Sequence, residues 1–325
     1  MHRYSYYKTA ACTLNVSIGD PQANKEEILK CIQELDSDTQ LVVFPELCIT
    51  GYTCQDLFYE HTLLNKAKQV LFEIVEELPE NLVAVLGLPL EIDNKLYNCA
   101  AICFNHDILG IQVKTYIPSY NEFYETRWFS SASELKESTT FTYKNKKVPV
   151  SNHIIFKDTT TSACLGIEIC EDLWVTIPVS STHALAGANI LCNLSASNEI
   201  ISKANYRRNL VKDQSAKCYA GYIYASAGPT ESSSDLVFSG HNLICENGAI
   251  LNETKTDKII YGQIDLDHLN HDRLHYKTSM QDLFHVNYTT VDFASKPIHE
   301  IEFTRYIDAY PFVPNNQDER IVRCL

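Results

Sequence analysis

Cys170-Glu171-Asp172 places a thiol and two acids at the end of the apolar run Ala163 to Ile169. A short apolar run that stops at turn residues reads as a buried strand, and open α/β folds put their chemistry where strands end. A cysteine held out there becomes a nucleophile once a base or a positive field makes it a thiolate. The alternative is that Cys170 is simply a small buried hydrophobe. Two more ionisable residues stand at strand exits: Glu46 after Gln40 to Phe44, and Lys114 at the end of the run from Ile108. As a set they make chemical sense. A carboxylate can take the thiol proton, an ammonium can stabilise a developing oxyanion, and a thiolate can form a covalent acyl intermediate. They are far apart in the chain, so only the fold can join them. Read separately, Glu46 and Lys114 also suit an ordinary ion pair at a sheet edge.

The elements that must position these residues follow from hydrophobic period. Thr9 to Val16 predicts a first strand, and Asn24-Lys25-Glu26-Glu27 has the capping spacing that opens a helix. Leu63, Leu64, Ala67, Val70, Leu71, Ile74, Val75 and Leu78 give the clearest helical period, over Glu60 to Leu78. Leu82 to Leu90 predicts a buried strand, and Tyr97 to Phe104 with Ile108 to Lys114 a hairpin around Asn105-His106-Asp107. The aromatic cluster from Tyr116 to Phe129 suits either core or the rim of a pocket, and the polar stretch Ser131 to Asn152 suggests a surface excursion. After Cys170 a helix start at Pro178, a strand Ala188 to Leu194, a helix Glu199 to Tyr219 and a strand Tyr222 to Ala227 follow. Leu236 to Cys245 and Ala249 to Leu251 flank Asn247-Gly248, a strong hairpin signal, before a closing strand Ile259 to Ile264. The chain beyond residue 266, with Pro297, Pro311 and Pro314, reads as an extended tail. This alternation of strand and helix is that of one α/β domain.

Composition narrows the function. With 45% apolar and 21% charged residues the 325-residue chain is an ordinary globular protein, and a net charge of −14 disfavours nucleic acid and anionic membranes as partners. No run approaches the ~18 apolar residues of a membrane span. The twelve cysteines are scattered through apolar segments with no C-x-x-C, which fits reduced core thiols in a cytoplasmic protein. The eleven histidines show no ligand spacing, so no metal is expected, and neither a Walker loop nor a G-x-G-x-x-G points to a nucleotide.

Val43-Phe44-Pro45-Glu46-Leu47, Lys114-Thr115-Tyr116-Ile117-Pro118 and Glu168-Ile169-Cys170-Glu171-Asp172-Leu173-Trp174 together resemble the signatures of the nitrilase, or carbon-nitrogen hydrolase, superfamily. The chain is most similar to the N-terminal glutaminase domains of glutamine-dependent NAD synthetases. Gly51 to Leu57, Tyr120 to Glu125, Asn193 to Ser197, Gly228 to Ser232 and Tyr310-Pro311-Phe312-Val313-Pro314 carry that closer likeness. The resemblance implies a four-layer α-β-β-α sandwich that forms homo-oligomers through a helical layer. It implies Glu46 as general base, Lys114 as stabiliser of the tetrahedral intermediate, Cys170 as nucleophile and the backbone N–H of Glu171 in the oxyanion hole. Tyr120, Ser197 and Lys203 would hold L-glutamine, with Tyr52, Phe123, Glu125 and Trp174 as further substrate contacts. The implied reaction passes through a γ-glutamyl thioester to L-glutamate and ammonia and needs no cofactor. ATP and deamido-NAD belong to a separate synthetase domain, whose Ser-Gly-Gly-x-Asp-Ser segment is absent from these residues. The expectation is therefore a hydrolase domain over 1–270 and an extended tail over 271–325 leading towards that synthetase. A free-standing amidase acting on another small amide and a non-catalytic assembly subunit remain as alternatives.

Overall fold

A computed structural model describes residues 5–281, 285–296, 298, 300–307 and 309. The motif Tyr310 to Pro314 lies outside them. Along the chain come β1 (Tyr6–Cys12), α1 (Pro21–Gln33), β2 (Leu41–Val43), α2 (His61–Glu77), β3 (Val83–Ile92), β4 (Lys95–Phe104) and β5 (Asp107–Val113). A hairpin of β6 (Thr140–Tyr143) and β7 (Lys146–Ser151) follows, then β8 (Ile154–Asp158), β9 (Cys164–Ile169), α3 (Val179–Leu185), β10 (Ile190–Ser195), α4 (Lys203–Cys218) and β11 (Gly221–Ser226). The chain continues through β12 (Asn242–Glu246), β13 (Ala249–Thr254), β14 (Ile259–Asp265), α5 (Leu266–His275) and β15 (Thr289–Phe293).

These strands make two sheets, ordered β14-β1-β2-β3-β4-β5-β7-β6 and β13-β12-β11-β10-β9-β8-β15. Alternation along each strand explains why both faces are apolar. In β1, Tyr7 and Ala11 turn into the core between the sheets, where they join Val43, Val85, Ile167, Leu194 and Ile223. Ala10 and Cys12 turn the other way, under a layer made by α1 and α2 through Ile28, Ala67, Val70 and Ile74. On the far side Leu191, Tyr222, Tyr224 and Leu243 of the second sheet meet α3 and α4 through Ala184 and Val211. The order of layers is therefore α-β-β-α.

Local chemistry corrects several boundaries. Helix α1 starts at Pro21 because the Asp20 carboxylate accepts from the backbone N–H groups of Gln22 and Ala23, each at 3.1 Å. Asn24 is instead buried, and its amide donates to the carbonyls of Ser17 at 2.9 Å and Ile49 at 3.1 Å. The polar stretch Ser131 to Asn152 is not a mere excursion. Its hairpin extends the first sheet and buries Tyr143, Val148 and Val150 on one face, while Lys144, Asn145, Lys146 and Lys147 hide that pattern in the sequence. In the region expected as an extended tail, α5 packs Leu266 and Leu269 into the inter-sheet core and β15 pairs in parallel with β8. The Asn247-Gly248 hairpin forms as expected, with both residues at positive φ, 45° and 82°. No helix among the described residues is long and apolar enough to cross a membrane.

Two close packings fix the ends of the strands. A Cβ on Gly87 of β3 would lie 2.4 Å from the Leu47 nitrogen and 2.7 Å from the Pro45 carbonyl, so the loop bearing Glu46 rests directly on a bare backbone. His183 of α3 lies similarly over Gly166 of β9, and its Nε2–H donates to the Ile167 carbonyl at 2.7 Å. Burial lowers the pKa of His183 to about 4.

Gly87→Ala should destabilise the fold by about 1–3 kcal/mol through overpacking, as read by urea denaturation, and displace Glu46; a change under about 0.5 kcal/mol would contradict the packing. The unfolded chain protonates a histidine near 6.5 while folded His183 stays neutral down to about 4. Stability should therefore fall as pH drops through that window, His183 accounting for roughly 3 kcal/mol. In His183→Gln the loss of unfolding free energy between about pH 6.5 and 4 should be smaller by that amount, and an unchanged loss would contradict the assignment.

Candidate active site

Glu46 follows β2, Lys114 follows β5 and Cys170 follows β9, so the cluster draws on both sheets. Strand β2 is parallel to β3, and β3, β4 and β5 are successively antiparallel, which brings the exits of β2 and β5 to the same end of the sheet. The Lys114 ammonium lies 2.6 Å from Glu46 Oε1 and 2.9 and 2.8 Å from the two oxygens of Glu125. All three side chains are buried, Lys114 completely. Asn98 of β4 donates its amide to Glu46 Oε1 at 2.7 Å, and the Ala196 backbone N–H donates to Glu46 Oε2 at 2.9 Å. Tyr52 donates its hydroxyl to Glu125 Oε1 at 2.8 Å. Both oxygens of each carboxylate are thus held, and each carboxylate can point only one way.

The charges in this cluster depend on one another. Burial alone would strip the Lys114 proton, but Glu125 and Glu46 outweigh it and hold the ammonium well above the usual lysine range. Burial pushes Glu125 up to about 7, Lys114 opposing and Glu46 adding to the rise. The Cys170 thiol is raised by burial and then by Glu46, with Lys114 and a hydrogen bond from Ser195 pulling the other way. At neutral pH the sulfur therefore rests as a protonated thiol.

Cys170 sits on a strained corner. Its φ is +45°, in the left-handed region a β-carbon disfavours, at the step from β9 into the short turn Cys170–Leu173. Asp172 braces that corner. One oxygen accepts from the backbone N–H of Ile169 at 3.1 Å, and the other from Thr115 at 3.0 Å and Tyr116 at 2.9 Å. The Cys170 turn and the exit that carries Lys114 are therefore pinned by the buried Asp172 side chain, whose pKa burial raises to about 8.

The residues expected to hold substrate gather beside the cluster in separate contacts. The Lys203 ammonium lies 5.1 Å from the centre of the Trp174 ring and 5.5 Å from that of Phe123, and it donates to Asn198. Burial lowers its pKa. Tyr120 donates to the Glu171 carboxylate at 2.9 Å, and Ser197 accepts from Arg207. Tyr52, Phe123 and Glu125 also line a pocket that extends towards Gln55, Trp128 and Asp235. Glu125 is also a second carboxylate on Lys114, and Tyr52 holds it. The aromatic segment proves to be both core and rim, for Phe129 is buried while Tyr116 and Tyr120 are exposed.

Sequence reasoning missed Asn98, Asp172, Ser195 and Arg207. Asn98 had a signal, as a polar residue inside the apolar run of β4. Glu231, within the Gly228 to Ser232 segment, accepts from the backbone N–H of Tyr52 at 2.7 Å and of Thr53 at 3.0 Å, which sets the tyrosine in place. Among the described residues no cluster of His, Cys, Asp and Glu is arranged to hold a metal, and the cysteines are buried and free.

Two facing sheets sheathed in helices, with buried glutamate, lysine and cysteine at their strand ends, define a nitrilase-like hydrolase. The carbon-nitrogen hydrolase family model matches residues 8–273, and the chain belongs to that family. It is 34% identical over 326 residues to the glutamine-dependent NAD(+) synthetase of Mycobacterium tuberculosis, covering 96% of this chain and 48% of that protein. The crystal structure of a glutamine-dependent NAD(+) synthetase from Cytophaga hutchinsonii superposes with a TM-score of 0.71 at 29% identity, covering 80% of this chain and 43% of that one. Nit3 of Saccharomyces cerevisiae, from branch 10 of the nitrilase superfamily, shares the fold with a TM-score of 0.65 at 20% identity, over 84% of this chain and 94% of its own. The chain spans about half the length of the M. tuberculosis relative.

Glu125→Gln removes one of the two charges facing Lys114 and turns an amide N–H towards an ammonium. Turnover of any amide substrate should fall by about a hundredfold or more with the fold retained; a loss under about threefold would show that the second carboxylate is structural only.

Proposed function

We propose that this chain is a glutamine amidohydrolase that releases ammonia for amidation of deamido-NAD at a synthetase domain. The observation that carries the reading is the buried ammonium of Lys114 between Glu46 and Glu125, beside a cysteine on a strained strand-end turn. The specificity rests on Lys203, a cation in an aromatic frame that suits the α-carboxylate of an amino acid and that a neutral amide has no need of. Tyr120 and Ser197 complete the grip on the glutamine. The names of the M. tuberculosis and C. hutchinsonii relatives support the same substrate and the same acceptor.

Glu46 takes the proton of Cys170 as the sulfur attacks the side-chain amide carbon, and the carbonyl π electrons move onto oxygen. That oxyanion is met by the Lys114 ammonium and the backbone N–H of Glu171. Collapse breaks the C–N bond, the nitrogen takes the proton from Glu46, and ammonia leaves behind a γ-glutamyl thioester. Water, deprotonated by Glu46, attacks the thioester, and glutamate departs as the sulfur regains its proton. No step calls for a cofactor. ATP and deamido-NAD act at the synthetase domain. A cytoplasmic location and assembly as a homo-oligomer belong to the same reading.

Ammonia release from L-glutamine, with asparagine and simple amides in parallel, tests it. Release should be selective for glutamine and fall at least about a thousandfold in Cys170→Ala. Release only from other amides would make the chain a general amidase instead, and residual turnover within about tenfold of the parent would sink Cys170 as nucleophile.

A further inference from the structure

Two buried hydroxyls, of Ser195 and Tyr224, lead from Cys170 into the second sheet, and the mechanism above makes no use of them. Ser195 and Ser197 fall on one side of the chain at the end of β10 by the period of two, and Lys203 and Arg207 share a face of α4 by the spacing of four. Ser195 Oγ donates to Cys170 Sγ at 3.3 Å. The Tyr224 hydroxyl, from β11, lies 2.5 Å from the same Ser195 oxygen. A serine has one hydrogen to give, and here the sulfur takes it, so Tyr224 must be the donor in that contact. Burial raises the Tyr224 pKa, and the nearby Arg207 charge opposes that rise. Arg207 donates to Ser197 Oγ through Nε at 3.3 Å and Nη2 at 3.1 Å. A guanidinium only donates, so Ser197 accepts in both contacts.

The two bonds that reach the sulfur therefore share one sense, Tyr224 to Ser195 and Ser195 to sulfur, and the Arg207 charge acts on Tyr224. Arg207, Tyr224 and Ser195 are fully buried, and hydrogen bonds in such surroundings polarise one another. The guanidinium is itself fixed. It donates to the Asn198 carbonyl at 3.0 Å and to His241 Nδ1 at 2.9 Å, and it pairs with Glu199 at 3.3 Å. Because His241 accepts on Nδ1, its Nε2–H donates to Glu253, at 2.7 Å, and the ring stays neutral.

We propose that Ser195 and Tyr224 are positioning residues that aim two donors in series at Cys170 and stabilise its thiolate, with the buried Arg207 cation reinforcing Tyr224, apart from any action of Lys114. The inference rests on Cys170 being the nucleophile. It supplies what the Glu46 cluster lacks, since Glu46 and Glu125 both oppose a negative sulfur and only Lys114 within that cluster favours one. Lys203 also acts on the sulfur, and Tyr52 and Tyr120 lie close enough to feel its charge.

The test is alkylation of Cys170 by iodoacetamide in the full chain, located by peptide mass mapping and followed from neutral to alkaline pH. Tyr224→Phe removes one hydroxyl and leaves the ring in place. It and Ser195→Ala should each slow alkylation at neutral pH by about tenfold and move the profile to higher pH, with thermal unfolding unchanged. Ser195→Thr should restore the parent rate, and Arg207→Lys should fall between parent and Tyr224→Phe. Parental rates and profiles in both Tyr224→Phe and Ser195→Ala would overturn the proposal. So would lost amide hydrolysis with unaltered alkylation, an outcome that leaves the amidohydrolase reading intact. Altered alkylation in a chain that hydrolyses no amide would uphold the donor line and remove the reading.

Discussion

The Lys114 ammonium is closed off from water between two carboxylates, and the surrounding structure exists to make that tolerable. A buried charge costs several kcal/mol in lost hydration unless partners replace the water, and breaking such a pair leaves an uncompensated charge. Here Lys114 gives its hydrogens to Glu46 and Glu125, while Asn98, Tyr52 and the Ala196 N–H occupy the remaining carboxylate positions. The Cys170 thiol beside this cluster is held protonated first by its burial and then by Glu46, with Lys114 opposing. The cluster thus secures the lysine in the core and helps keep the thiol protonated at rest.

Positioning that cluster demands rigid backbone, and the fold supplies it at three places. Gly87 lets the loop bearing Glu46 lie against β3, Asp172 ties the Cys170 turn to the exit of β5, and Glu231 seats Tyr52. Each is an anchor between segments that come together only in the folded chain. Between them they set the carboxylate, the cation and the sulfur from both sheets.

The strand exits at Glu46, Lys114 and Cys170 were legible in the sequence because ionisable residues ending apolar runs are a local pattern. The layer order came from family likeness rather than from period, and the long regular helix α2 was the element local pattern read best. What remained hidden was long-range. Glu125 meets Lys114 eleven residues away, but its part as a second buried carboxylate depends on Tyr52, across 73 residues. Ser195 reaches Cys170 across 25 residues and Ala196 reaches Glu46 across 150, distances no local pattern encodes. The β6–β7 hairpin was obscured by its lysines, and the α1 start by the preference of Asp20 over Asn24 as the cap. Misses of this kind trace to partners, and partners are set by the fold.

The central claim is that, among twelve cysteines, Cys170 alone forms a covalent acyl intermediate. The most direct measurement is peptide mass mapping of chain quenched in acid during turnover of L-glutamine. A γ-glutamyl group on the peptide that contains Cys170, absent when glutamine is withheld, is the result predicted. A thioester on another cysteine, or steady ammonia release with no acyl group on any, would contradict the account.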